Sequence, residues 1–268
     1  KQVVRFAPSP RMSSYLLHLA VGDLERISRK AAGVEIGIVT RKGAAEQGRV
    51  ALDAAVEILP WYNDYFGTSY PLPKLDMIAV PGTSQFFGAM ENWGAIMYFE
   101  QALLMDPQIS SESDRLNIYD AVAHEMAHQW FGNLVTMEWW DDLWLNEGYA
   151  TWMAEKAAST LRSQWNVPLL TVKWPREFAL QSDASDATHP IVQRVASVDA
   201  ASQAFDAIAY NKGSAVIRML EASLGETGFR DGIRRYVRRY AYDNAVTEQL
   251  WLELASATKR PVIDIARD

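Results

Sequence analysis

The chain has 268 residues, no cysteine and a formal charge of −7, from 26 basic and 33 acidic side chains. These totals exclude disulfides and thiolate metal sites and argue against a general nucleic-acid-binding surface. A hydrophobic content of 49% beside 22% charged residues suits a globular chain with a substantial core, and no apolar run approaches the ~20 residues that span a bilayer. The chain opens on Lys1 with no signal-peptide pattern, so it reads as a segment of a longer protein whose localisation stays open.

In chain order, residues 1 to about 24 read as extended, with His18 in an apparent strand, after the breaker APSP. GVEIGIV (33–39) alternates as a strand does. From Gln47 to about Tyr65, apolar Val50, Ala54, Ile58, Trp61 and Tyr62 recur at helical spacing. KLDMIAVPG (74–82) and GAIMYFE (94–100) read as two strands separated by a loop that contains GAMEN (88–92). A helix is expected from Ser111 to about Trp130, with Ser111 and Asp114 forming a capping box, and another from about Asp142 to Leu161. A loop over 182–190, with His189 at its surface, precedes helices expected at 201–223, 229–241 and 247–257. Arg234, Arg235, Arg238 and Arg239 leave Ile233, Val237 and Tyr240 on one stripe, so that basic run reads as a solvated helix face. Strands first and helices afterwards indicate an α+β fold, a small mixed sheet followed by a mainly helical lobe. Five of the ten tryptophans fall at 130, 139, 140, 144 and 152, which suits an aromatic core, a cleft wall, or both.

The chemistry concentrates in HEMAHQW (124–130). Positions four apart share a helix face, so His124 and His128 can aim imidazole nitrogens at one ion. Glu125 sits about 100° around the helix from His124, poorly placed as a ligand but well placed to reach a water on that ion. A catalytic zinc needs a third protein ligand and an open position. Glu147, 19 residues past His128 on the next expected helix, lies among apolar Trp144, Leu145, Tyr149 and Trp152, and a glutamate buried there needs a partner. Such a site lowers the pKa of water and lets Glu125 move its proton to a leaving amine, which is amide hydrolysis.

The stretch HEMAHQWFGNLVTMEWWDDLWLNEGYA (124–150), together with GAMEN (88–92), closely resembles the zinc aminopeptidases of the aminopeptidase N type. SPRMSSYLL (9–17) and FDAIAYNKGSAVIRML (205–220) also look like segments of that family. The resemblance implies a thermolysin-like metallopeptidase catalytic domain over 25–268, with 1–24 as the end of a preceding N-terminal β domain. It implies one Zn2+ held by His124, His128 and Glu147, with Glu125 as general base. Glu91 would hold the substrate's free α-amino group, with Gly88 and Ala89 aligning the peptide and Phe87 lining the first side-chain pocket. Tyr210 would donate to the tetrahedral oxyanion; Asn133 matches the pattern without a role read from sequence beyond support around the site. The implied partners are peptides with a free N-terminus, with no nucleic acid and no membrane segment in this chain. Family members are larger, so flanking N- and C-terminal domains are expected, the former supplying a further acidic residue for the substrate amine. Two other readings are a same-fold zinc hydrolase acting on a substrate such as a lipid epoxide, and a non-catalytic binding module.

Overall fold

The computed structural model describes residues 3–84, 87–106, 108–173, 175–186 and 188–267. Residues 3–23 are irregular apart from a 3-10 turn at Ser14–Leu16. The extended reading is thus corrected: His18 lies outside any strand, and the first strand begins where that reading stopped. This strand, β1 (Leu24–Ala31), carries Glu25, Arg26, Arg29 and Lys30 and is largely exposed, so its alternation is muted in the sequence. It pairs antiparallel with β2 (Val34–Arg41) through a two-residue turn, Ala32 and Gly33, at φ of +48° and +81°. Positive φ at both turn residues matches the twist of the strands they join.

Helix α1 (Arg49–Phe66) crosses from β2 to β3 (Lys74–Val80), which pairs parallel with β2. It buries Ala51, Ala54, Ala55, Ile58, Leu59 and Tyr62 and ends at Gly67 in the left-handed region, φ +60°. Against it the sheet sets the buried Ile36, Ile38, Leu75, Met77, Ile96 and Tyr98. The sheet is completed by β4 (Ala89–Met90) and β5 (Ala95–Phe99), in the order β1-β2-β3-β5-β4. Here GAMEN departs from the expected loop: its second and third residues form an edge strand antiparallel to β5, with Ala89 opposite Tyr98 and Met90 opposite Met97. Two residues are too few to show a period, so the sequence carries no strand signal there.

The short α2 (Glu100–Leu103) follows, then α3 (Glu112–Ala127). Its start is the expected capping box: Asp114 N donates to Ser111 Oγ at 3.2 Å, and Ser111 N donates to Asp114 Oδ2 at 2.7 Å. Buried Ile118, Tyr119, Val122, Ala123 and Met126 form the face that docks on α1 and α4 (Leu143–Leu161). Between α3 and α4 lies β6 (Val135–Met137), paired parallel with β7 (Asp243–Ala245) far along the chain. This second sheet corrects the simple order of strands before helices.

Two helices without a sequence expectation follow, α5 (Val167–Lys173) and α6 (Pro175–Asp183). In the expected loop over 182–190, Ala187 lies outside the described residues. The helix expected over 201–223 is divided into α7 (Val198–Ala201), a turn, a single π turn at Ile208–Lys212, and α8 (Gly213–Leu224). Asp206 makes the break: its carboxylate competes for backbone N–H groups, as short acidic side chains do at helix starts. The remainder is α9 (Glu226–Tyr240), α10 (Thr247–Thr258) and α11 (Val262–Arg267). The basic run on α9 is a solvated face as expected, with Arg235, Arg238 and Arg239 exposed and Ile233 and Val237 buried beneath; Arg234 donates to the Tyr65 and Asp64 carbonyls, and Arg235 and Arg239 both pair with buried Glu253. Trp130, Trp144 and Trp152 are core, as one reading of the aromatic run had it; Trp139 is exposed and Trp140 half-buried.

Candidate metal centre and cleft

Helix α3 delivers His124 on its last turn, with His128 as the residue that closes it. Beyond it the chain reverses through Gly132, at φ +126°, where a side chain would be strained. Helix α4 then presents Glu147 to the same point. The His124 and His128 Nε2 atoms are 3.1 Å apart, and Glu147 Oε2 lies 3.3 Å from the first and 3.4 Å from the second. Four atoms held about 2.0–2.1 Å from one tetrahedral zinc stand roughly 3.3 Å from each other. The donor set therefore fits zinc in both element type and spacing. His128 Nδ1 faces the Phe131 carbonyl at 3.0 Å, so that nitrogen carries the proton and Nε2 is left with its lone pair toward the shared point. Among the described residues, Glu147 Oε2 and Glu125 Oε2 are both buried without a hydrogen-bond partner, which is what a site built for an ion and a water leaves exposed to them.

Electrostatics point the same way. Burial alone would raise the Glu147 carboxyl, but His128 and His124 outweigh it and hold it down to about 2. Burial would likewise lower His128, and Glu147 and Glu91 outweigh that and push it up to about 10. The carboxylates around His128 thus favour a positive charge beside it, which a cation at Nε2 would supply in place of a proton. Glu125 is pushed well up by burial, with the carboxylates of Glu91 and Glu147 adding to the effect. Glu91 is also raised, by burial first.

Glu91 follows the edge strand β4 and is buried. Ligand atoms of Glu91, Glu125 and His128 all lie within 4.8 Å of one another. Its backbone carbonyl accepts from Asn133 Nδ2 at 2.8 Å and Gln129 Nε2 at 3.3 Å, so the chain reversal after α3 clamps GAMEN to the metal-side helix. Its Oε1 accepts from the Tyr15 hydroxyl at 3.3 Å, and Tyr15 packs against Trp140 with ring centroids 5.6 Å apart. Tyr210, on the π turn, stacks on His124 with centroids 5.9 Å apart and planes 10° from parallel. Burial, with Glu147 and Glu125 nearby, raises its phenol well above the ordinary value, so it stays protonated and able to donate. The π turn comes this close because two glycines meet: a Cβ on Gly148 would stand 3.1 Å from Gly213 backbone and 3.2 Å from the Ala209 carbonyl.

These groups open on a cleft of about 900 Å³ lined by Phe87, Gly88, Ala89, Asp120, Glu125 and Tyr210 among others. Phe87 is half exposed and packs on Phe99, with centroids 5.7 Å apart. All nine residues singled out from sequence thus fall at one place. Those overlooked are Tyr15 and Gln129, and Asn133 was read only as support around the site. Gln129 is the residue after His128, where a signal could be sought; Tyr15 lies in an irregular segment 76 residues from its partner, and no periodicity points to it.

An HExxH helix, a carboxylate from the next helix and a mixed sheet whose edge strand borders the cleft define a candidate metallohydrolase site. The pattern for the peptidase family M1 domain matches residues 50–268, and the chain belongs to that family. It is 45% identical to "Probable aminopeptidase 2" of Sulfurisphaera tokodaii over 268 residues, all of this chain and 34% of that protein. It is 43% identical to "Aminopeptidase M1-C" of Oryza sativa over 270 residues, 98% of this chain and 30% of that protein. With "Leucyl aminopeptidase" of Saccharolobus solfataricus the identity is 41% over 268 residues, all of this chain and 34% of that protein. The chain spans about a third of the length of the curated relatives it matches.

Proposed function

We propose that this chain is the catalytic segment of a zinc aminopeptidase that removes the N-terminal residue from peptides. The observation that carries the proposal is the charge arrangement. Three carboxylates, Glu91, Glu125 and Glu147, are buried together beside two imidazoles. Burying such a cluster without cations is costly. A divalent ion and one substrate ammonium supply three positive charges against three negative ones, and a peptide with a free N-terminus brings that ammonium.

His124, His128 and Glu147 hold the zinc, which when bound supplies Lewis-acid activation of water and polarisation of the scissile carbonyl. Glu125 takes the water's proton on its carboxylate and delivers it to the leaving amine, acting as base and then as acid. Tyr210 donates its phenolic proton in a hydrogen bond to the oxygen where negative charge develops, an interaction made in the transition state. Glu91 pairs with the α-ammonium and fixes how far a peptide enters, which turns a general peptidase site into an exopeptidase site. The outer edge of β4 offers backbone groups of Ala89 to a substrate strand, Gly88 lines the cleft beside it with its carbonyl held by the Phe99 N–H, and Phe87 borders the first side-chain pocket. The names of the M1 relatives support the same reading.

The test is Glu125→Gln in the full-length protein. Zinc should remain at one per chain, because Glu125 is not a ligand, while kcat on an aminoacyl arylamide falls about 10²- to 10⁴-fold. Retained hydrolysis would refute the role of Glu125. Release of a carboxylic acid from lipid-like epoxides with no peptidase turnover would favour the other hydrolase reading, and inertness of the zinc-loaded wild type toward both would favour a binding module.

A further inference from the structure

The π turn that carries Tyr210 is held by a group of charged residues away from the metal. Asp206 accepts from the backbone N–H of Ile208 at 2.9 Å and of Ala209 at 3.0 Å, both through Oδ1. Tyr210 N donates to the Asp206 carbonyl at 3.1 Å, so this one residue sets the entry to the turn. Its other carboxylate oxygen, Oδ2, lies 2.7 Å from His189 Nε2. His189 Nδ1 in turn faces the Pro190 carbonyl at 2.7 Å. Both ring nitrogens therefore face oxygen acceptors, and a neutral imidazole, with one proton, can satisfy only one of them. The geometry favours an imidazolium.

We propose that His189 is a positioning residue for Tyr210, its imidazolium fixing the Asp206 carboxylate that caps the π turn. The proposal rests on the reading of Tyr210 as oxyanion donor. Burial lowers the His189 pKa, and the Pro190 carbonyl and Asp206 outweigh it, so the net shift is upward. Lys212, on the same turn, opposes this, but it is itself paired with Asp183 of α6 at 2.7 Å, and Asp183 also accepts from Thr188 at 2.7 Å. The segment before Pro190, the end of α6 and the π turn are in this way joined by charge. Because the folded pKa is raised, the latch is fully formed below the ordinary histidine value and is lost as pH rises through the raised one. Loss of the proton leaves one ring nitrogen facing an oxygen with no hydrogen between them. The turn loosens and the phenol leaves its line.

The experiment uses the zinc-loaded, full-length protein and four variants: His189→Ala, His189→Gln, Tyr210→Phe, and the double variant of His189→Ala with Tyr210→Phe. His189→Ala should lower kcat about tenfold with KM little changed, as a small misplacement of a catalytic group does. His189→Gln keeps a donor toward Asp206 without a titrating charge, so it should recover part of the loss and lack the alkaline fall in kcat shown by wild type. In the Tyr210→Phe background, His189→Ala should have no further effect, because the two act as one unit. Fully additive losses, or a rise in KM with kcat unchanged, would overturn the proposal. The 15N spectrum of the His189 ring provides a readout apart from turnover: both nitrogens protonated at neutral pH is expected, and a neutral ring at pH 6 would overturn the latch. A fully active Tyr210→Phe would instead remove the role assigned to the phenol, leaving the ring spectrum to decide the latch alone.

Discussion

Asn133 shows how much of the site depends on one hydrogen bond. Its side chain is buried and donates to the Glu91 carbonyl, which joins the GAMEN strand end to the reversal after α3. Asn133→Ala removes the shorter of the two donors to that oxygen, leaving the longer one from Gln129. We expect a loss of about 1–3 kcal/mol in stability by denaturant unfolding, the range for an imperfectly satisfied buried polar group. Zinc content should stay at one per chain while kcat/KM for free-amine substrates falls, since Glu91 moves and the ligands do not. At this scale the sequence was most readable where chemistry follows a fixed period. His124 and His128 stand four apart on a helix, and Glu147 is a carboxylate among apolar residues. Tyr210 needed the resemblance to be singled out from eleven tyrosines. Tyr15 and the His189–Asp206 pair were not legible, because their contacts join irregular segments, where no repeat ties one partner to the other.

Secondary-structure elements were legible where a face was long enough to repeat. The capping box and the buried stripe of α3 are written in its residues, as is the apolar stripe of α1. The π turn is not, because it arises from two tertiary conditions: the Asp206 carboxylate capturing backbone N–H groups, and the close approach of Gly148 on α4 to Gly213 on α8. The second condition can be tested directly. Gly148→Ala places a Cβ 3.1 Å from backbone atoms that cannot rotate away, so α8 and the turn must shift. Overpacking of this kind costs about 1–3 kcal/mol. Differential scanning calorimetry should show a drop of about 2–4 °C for each kcal/mol in a domain of this size. The kcat should fall as well, because Ala209 and Tyr210 ride on the displaced turn. An unchanged melting temperature together with unchanged kcat would show that the contact does not position the phenol.

Across the whole molecule, the sheet and the helical lobe meet at the cleft, with β4 on one wall and α3, α4 and the π turn on the other. A metal at that junction binds the folded state and not the unfolded chain, so chelation should destabilise the protein. At zinc 100-fold above its dissociation constant the contribution is about 2.7 kcal/mol, or about 5–11 °C in melting temperature at the per-kcal/mol shift for this size. A melting curve indifferent to chelator would contradict a structural tie between metal and fold. The central claim is that three buried carboxylates await a dication and one ammonium. It is tested most directly by comparing a free-amine dipeptide with its N-acetylated counterpart, on wild type and on Glu91→Gln, with zinc measured in both. The account predicts that wild type cleaves only the free-amine substrate efficiently and that Glu91→Gln loses most of that preference with its zinc intact. Equal cleavage of both substrates by wild type, or an undiminished preference in Glu91→Gln, would contradict it.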